Sequence, residues 1–197
     1  FSLDIGTRTI KGLYGYYEDK KLNIIYESSK DQLERAMKDG QIQDIEKVAE
    51  VVKDLKEDIE EKLGRSLNEV VIAAAGRSLK TVISKGRLEF SQETTIDKEL
   101  IRTLELQGVA LGEEEAIGEW DRLFCVGYKA INYYLNGYLI GNLYGQVAKF
   151  IEVDMISTFL PKSVVDSLYK VMEVVGLKVI NLTLEPIAAM EAIIPDK

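Results

Sequence analysis

The sequence has no histidine and a single cysteine in 197 residues. Without histidine there is no imidazole base, so Ser-His and Cys-His nucleophile pairs are excluded. Without a second cysteine there is no internal disulfide, and the usual cysteine- and histidine-based zinc sites are excluded as well. So little cysteine points to a reducing compartment. The one thiol, Cys125, lies in the apolar run Leu123-Phe124-Cys125-Val126, which predicts a buried, inert side chain. Proline is scarce, at 3 residues, and no stretch rich in proline, glycine and serine forms a linker. No apolar run approaches the ~20 residues that span a bilayer, and no signal peptide is visible. The chain starts on a strand-like Phe1-Ser2-Leu3 with no methionine, so its natural N-terminus is expected upstream.

Apolar residues make up 46% of the chain, enough to bury a substantial core. The charge is one-sided. Asp and Glu number 33 against 25 Lys and Arg, a net charge of -8. An acidic surface repels phosphate backbones, so no nucleic-acid partner is expected. Anionic membrane is an equally poor partner for such a surface.

Residues 1–5, 9–17 and 22–28 read as strands of an opening antiparallel meander, with a tight turn at Gly6-Thr7. Residues 44–63 read as a helix. Ile45, Val48, Val52, Leu55, Ile59 and Leu63 recur at steps of three and four, Asp44 can cap its start, and Gly64 suits its end. The apolar run 70–75 predicts a strand buried on both faces, closed by Gly76. From about Thr81 the texture changes. Residues 81–90 and 138–156 suggest strands around a helix at 97–110, the glutamate-rich stretch 111–118 suggests an exposed loop, and the glycines of 138–145 suggest a hairpin turn. A helix at 164–175 ended by Gly176, a strand at 177–182 and a last helix opened by Glu185-Pro186 complete the chain. The pattern is β-β-β-α-β, an inserted α/β module, then α-β-α.

The strongest chemical signal is Asp4-Ile5-Gly6-Thr7-Arg8-Thr9-Ile10-Lys11-Gly12, at the end of one strand and the start of the next. Gly6 has no Cβ and lets the backbone approach a ligand. Amides around Gly6, Thr7 and Arg8 can then point at one set of phosphate oxygens. The Thr7 hydroxyl adds a donor, and Lys11 adds positive charge. Asp4 cannot meet a phosphate without a cation between them, a role that suits magnesium with its waters. The competing reading is an ordinary hairpin with a turn glycine and a surface lysine. A Walker-type loop is absent, because no GxxxxGK[ST] occurs and the turn leads into a strand. Glu185 has a plain alternative too, as a charge that favours a helix N-terminus.

Asp4-Ile5-Gly6-Thr7 with Lys11 resembles the first phosphate loop of the actin, sugar-kinase and heat-shock-chaperone superfamily. Leu184-Glu185-Pro186-Ile187-Ala188-Ala189 is similar to that superfamily's connecting helix. The resemblance implies a ribonuclease H-like, actin-type α/β ATPase domain: a mixed sheet with flanking helices. It implies that Asp4 holds magnesium, that Gly6, Thr7, Arg8 and Lys11 hold the phosphates of ATP, and that Glu185 orients the attacking water. Ala188 and Ala189 would let the helix pack closely on the sheet.

Within the superfamily the chain most resembles the FtsA type of cell-division protein. Gly40-Gln41-Ile42-Gln43-Asp44 resembles that family's glycine-x-isoleucine-x-aspartate segment, and residues 70–76, 79–90, 134–153 and 161–185 follow its pattern. The departures are Arg8 at a turn position usually small, Leu143 in place of a proline, and the loop 112–118. The resemblance implies a first lobe from residues 1–84 and 161–197 and an inserted subdomain at 85–160 that contacts a neighbouring subunit or late division proteins. Tyr128, Tyr133, Tyr134, Tyr138 and Tyr144 in that insertion fit either an interface or the module's own core.

The same resemblance implies filaments, FtsZ as a partner, and membrane attachment through a C-terminal helix, placing the full-length protein in the cytoplasm at the inner membrane face. It implies at most slow ATP hydrolysis. A second Asp-x-Gly phosphate turn, the adenosine segment and the membrane helix are not in this sequence, so it is expected to be an inactive N-terminal fragment with weak ATP binding. A pilus-assembly or chaperone-like relative, or a sugar kinase, remains the alternative. The sugar kinase is disfavoured because no aspartate motif supplies its base.

Overall fold

A computed structural model describes residues 1–19, 21–75, 79–118 and 122–193, apart from the Glu191 side chain. The expected strand closure at Gly76 and the chain end from Ile194 lie outside the described residues. Two compact units emerge: Phe1–Ser78 with Ser163–Lys197, and Leu79–Lys162.

The first unit begins with β1 (Ser2–Ile5), β2 (Thr9–Glu18) and β3 (Lys21–Asp31). A short hairpin of β4 (Met37–Lys38) and β5 (Gln41–Ile42), not anticipated from the sequence, leads to α1 (Ile45–Leu63) and β6 (Glu69–Ala74). The Asp44 side chain accepts the Lys47 amide at 3.1 Å and so caps α1. Gly64 ends it at φ 64°, where a side chain would be strained.

The second unit runs β7 (Lys80–Thr95), α2 (Lys98–Ala116), β8 (Leu123–Leu135), β9 (Tyr138–Ile140) and β10 (Val147–Pro161). The chain then returns to the first unit through α3 (Lys162–Val174), β11 (Lys178–Leu184) and α4 (Glu185–Ile193).

The first unit's sheet has five strands in the order β11-β6-β1-β2-β3. β1 is parallel to β6 and antiparallel to β2, so the sheet is mixed. Alternation along the strands gives it two unlike faces. Leu3, Ile5, Ile10, Val70, Ile72, Ala74, Leu182 and Leu184 are all buried on one face. Leu55 of α1 lies over Gly12 of β2, where a Cβ would come within 2.3 Å of its Cδ2. The other face carries Ser2, Asp4, Lys11, Leu13, Val71, Ala73 and Thr183, all half-buried or exposed. β6 is therefore buried on one face only, which corrects the expectation of a strand covered on both sides. Its second face looks into a cleft.

The second unit is a four-stranded antiparallel sheet, β7-β10-β8-β9, with α2 against it. Its core contains Ile96, Leu104, Leu143, Ile151, Val153 and Met155. Leu143, at the position where the resemblance called for proline, is fully buried in that core. The glutamate-rich stretch is helix rather than loop. α2 continues to Ala116 because Glu113, Glu114 and Glu115 are good helix formers and Gly112 and Ala116 are buried in the helix. The hairpin turns earlier than expected, at Asn136 (φ 48°) and Gly137 (φ 85°), a pair suited to left-handed backbone. Cys125 is half-buried, its thiol directed to the Gly127 carbonyl oxygen at 3.6 Å, and burial pushes it above its ordinary pKa. A raised thiol is a poor nucleophile.

Candidate functional site

The turn from β1 to β2 places the site. The Gly6 amide donates to the Thr9 carbonyl at 3.0 Å, and a Cβ at Gly6 would lie 2.9 Å from that oxygen, so only glycine fits without a shift. Thr7 and Arg8 are exposed at the tip. The Thr7 hydroxyl accepts the Gly40 amide at 3.0 Å and keeps its own proton to donate. Gly40 has φ 78°, and a Cβ there would meet that of Ala75 at 2.8 Å.

Strand register aligns a row of residues across the sheet. Thr183 of β11 pairs with Ala73 of β6, Ala73 with Asp4 of β1, Asp4 with Lys11 of β2, and Lys11 with Ser29 of β3. These residues and Ala188 of α4 line a cleft of about 590 Å³. Lys11 is exposed, its ammonium available to an anion.

Glu185 starts α4 where β11 ends. Burial, the charge of Asp4 and a hydrogen bond with that carboxyl push Glu185 above its ordinary value. The Asp4 Oδ1 atom is buried and has no hydrogen-bond partner. Two carboxyls in contact, with one buried oxygen unsatisfied, form an arrangement that a proton or a cation relieves. Among the described residues no group of three or more His, Cys, Asp or Glu side chains could hold a metal ion. A cation here would therefore keep much of its water, as magnesium does.

The structure thus sets Asp4 beside both Lys11 and Glu185; Asp4 and Lys11 line the cleft, whereas Glu185 at the start of α4 and Gly6, Thr7 and Arg8 on the turn lie outside its lining. Ala188 lines the cleft but Ala189 is exposed, so of the two alanines only Ala188 serves close packing. Sequence reasoning missed Gln32. Its backbone amide donates to the Arg8 carbonyl at 2.7 Å and its Nε2 donates to the Gly6 carbonyl at 3.2 Å. No motif announces a side chain that serves a carbonyl 26 positions away.

A cell division protein FtsA from Streptococcus pneumoniae serotype 2 (strain D39 / NCTC 7466) is 25% identical to the chain, over 98% of the chain and 41% of that protein. A solved PilM-PilN type IV pilus biogenesis complex superposes with a TM-score of 0.62 at 14% identity, over 96% of the chain and 48% of the matched chain. The chain has the actin-type fold and is similar to FtsA. At 14% identity the likeness to the pilus complex shows the fold alone. A member of the Ppx/GppA protein family from Aquifex aeolicus reaches a TM-score of only 0.26, over 36% of the chain, too low to indicate a shared architecture. No family model matches the chain. The chain spans less than half the length of both the FtsA and the pilus relative.

Proposed function

We propose that this chain supplies one side of the ATP site of an actin-like cell-division protein, which assembles into filaments and anchors the FtsZ ring at the inner face of the membrane. The observation that carries this reading is the buried, unpartnered Asp4 Oδ1 beside Glu185 and one strand from Lys11. Asp4 would hold magnesium through its waters, and the ion would supply counter-charge to phosphate oxygens. The amides of Thr7 and Arg8, the Thr7 hydroxyl and Lys11 would bind the phosphates, while the Gly6 amide is spent on the Thr9 carbonyl and Gly6 would serve through the close approach its missing Cβ allows. Glu185 would orient a water molecule. Nucleotide would act mainly as a conformational ligand that favours one state, with hydrolysis slow. The unit Leu79–Lys162 would serve as the FtsA-type subdomain that meets a neighbouring subunit or other division proteins.

The test is Mg·ATP binding by the full-length protein, followed by calorimetry. Lys11→Ala should weaken binding by about tenfold or more, the scale of one charge-assisted hydrogen bond. Asp4→Ala should remove the magnesium dependence. Unchanged affinity in both variants would overturn the reading. Co-sedimentation with lipid and ATP then tests the cellular role, where ATP-dependent polymers on membrane are expected. The pilus-complex superposition favours a second reading, a pilus-assembly protein of the same fold. It gains if ATP binds but neither polymers nor an FtsZ complex form. Sugar-dependent release of ADP would instead point to a kinase.

A further inference from the structure

We infer that Gln32 is the positioning residue of the phosphate turn, an inference that rests on the reading of Gly6–Arg8 as an anion site. A turn that receives phosphate must show its amides and hide its carbonyls, because a carbonyl oxygen facing an anion repels it. Gln32 takes two of the turn's carbonyls. Its own amide donates to Arg8 O at 2.7 Å, and its Nε2 donates to Gly6 O at 3.2 Å. A trans peptide points its C=O and N–H in opposite directions. Holding the Gly6 carbonyl therefore turns the Thr7 amide, one of the proposed phosphate donors, away from Gln32.

The orientation of the Gln32 amide is fixed by its surroundings. Nε2 also donates to Met37 Sδ at 3.1 Å, and Met37 is buried. Turning the amide over would set its oxygen against the Gly6 carbonyl and the sulfur, both acceptors. In the orientation observed, Oε1 is buried with no partner. A side chain kept for packing alone would be apolar at such a place. An unsatisfied oxygen is tolerated because the donor on the other side of the same amide is needed. Asp44 and Gln43 tie the far end of the segment by donating their amides to Ala36 O at 3.2 and 2.9 Å, so Gln32 is held on a closed loop.

The experiment compares full-length wild type, Gln32→Met and Gln32→Glu for Mg·ATP affinity and melting temperature across pH. Gln32→Met keeps the volume but has no donor, and should weaken binding about tenfold, which converts to about 1.4 kcal/mol. Gln32→Glu should bind as poorly near pH 8, where its carboxylate repels Gly6 O. Its affinity relative to wild type should recover as pH falls and the buried carboxyl takes a proton it can donate. A role in packing alone predicts no such recovery. If wild type binds Mg·ATP and both variants bind equally well, or if Gln32→Glu shows no pH-dependent recovery relative to wild type, the inference is overturned while the ATP site stands. If wild type binds no nucleotide, the reading of the site fails and this inference fails with it.

Discussion

The two units treat their carboxylates in opposite ways. In the first, Asp4 and Glu185 face each other, and Asp4 Oδ1 is buried with no partner. In the second, Asp154 on the sheet accepts the Tyr134 hydroxyl at 2.7 Å and the Asn132 amide at 3.3 Å, with Lys85 Nζ at 3.6 Å. Burial opposes ionisation of Asp154, yet these donors hold it below its ordinary value. Glu105 likewise accepts the Tyr133 hydroxyl, and Arg87 bridges Glu89 and Glu152 while lying over the Phe150 ring. A carboxylate that the protein satisfies itself serves the fold, whereas the one left unsatisfied in the cleft is the feature on which the proposed cation site rests. The contrast also settles the tyrosines in part. Tyr133 and Tyr134 serve their own module, while Tyr128, Tyr138 and Tyr144 stay exposed.

The comparison breaks first at Asp154. Asp154→Ala should cost about 1–2 kcal/mol of stability in urea unfolding, since it strands a hydroxyl, an amide and an ammonium. An unchanged midpoint would mean the second unit's ladder is ornamental. A smaller loss, about 1 kcal/mol, is expected for Tyr133→Phe. That variant also sharpens the pH behaviour. Burial and Glu105 push the Tyr133 hydroxyl from 10.0 up to about 12. A raised folded value means the contribution is intact below the unfolded value and is lost as pH rises through the folded one. Wild type should therefore lose stability between about pH 10 and 12 more steeply than Tyr133→Phe, in parallel urea titrations. The smallest effect belongs to the first unit. Asp4→Asn should leave the melting temperature of the ligand-free protein unchanged or slightly higher, because it replaces one of two carboxyls in contact with a neutral amide and so relieves the repulsion that Glu185 feels. A clear fall would place Asp4 among the structural carboxylates.

Much of the first unit was legible in the sequence because its signals are local. The 3.6-residue period, Asp44 and Gly64 mark α1 almost to the residue. Asp4, Gly6 and Lys11 lie within one turn, so their meeting needs only a hairpin. The second unit was less legible. β8 went unread as a strand because its alternation is broken: two register shifts against β10 move side chains off a clean period of two. The end of α2 looks like loop in the sequence because its run of glutamates suggests exposure, although one face of that turn is buried at Gly112 and Ala116. Gly108 lets α2 sit close on the sheet. A Cβ there would come within 2.5 Å of Met155 Cγ, so Met155 of the sheet occupies the space a side chain would need. Gln32 was unreadable for a different reason, since its partners are backbone carbonyls and any residue type offers those.

One irregularity in the first unit separates what must stay constant from what can drift. Tyr14 pairs with Tyr26 but Gly15 pairs with Ile24, leaving Ile25 as an extra residue in β3. It works as a phase shifter: beyond it, inward and outward positions on β3 are exchanged relative to a continuous strand. Leu22, Ile24 and Tyr17 at the hairpin's outer end are exposed. That end can lengthen, shorten or change sequence without altering the parity that points Asp4 and Lys11 into the cleft, so variation among relatives should gather there and stop at the shifter.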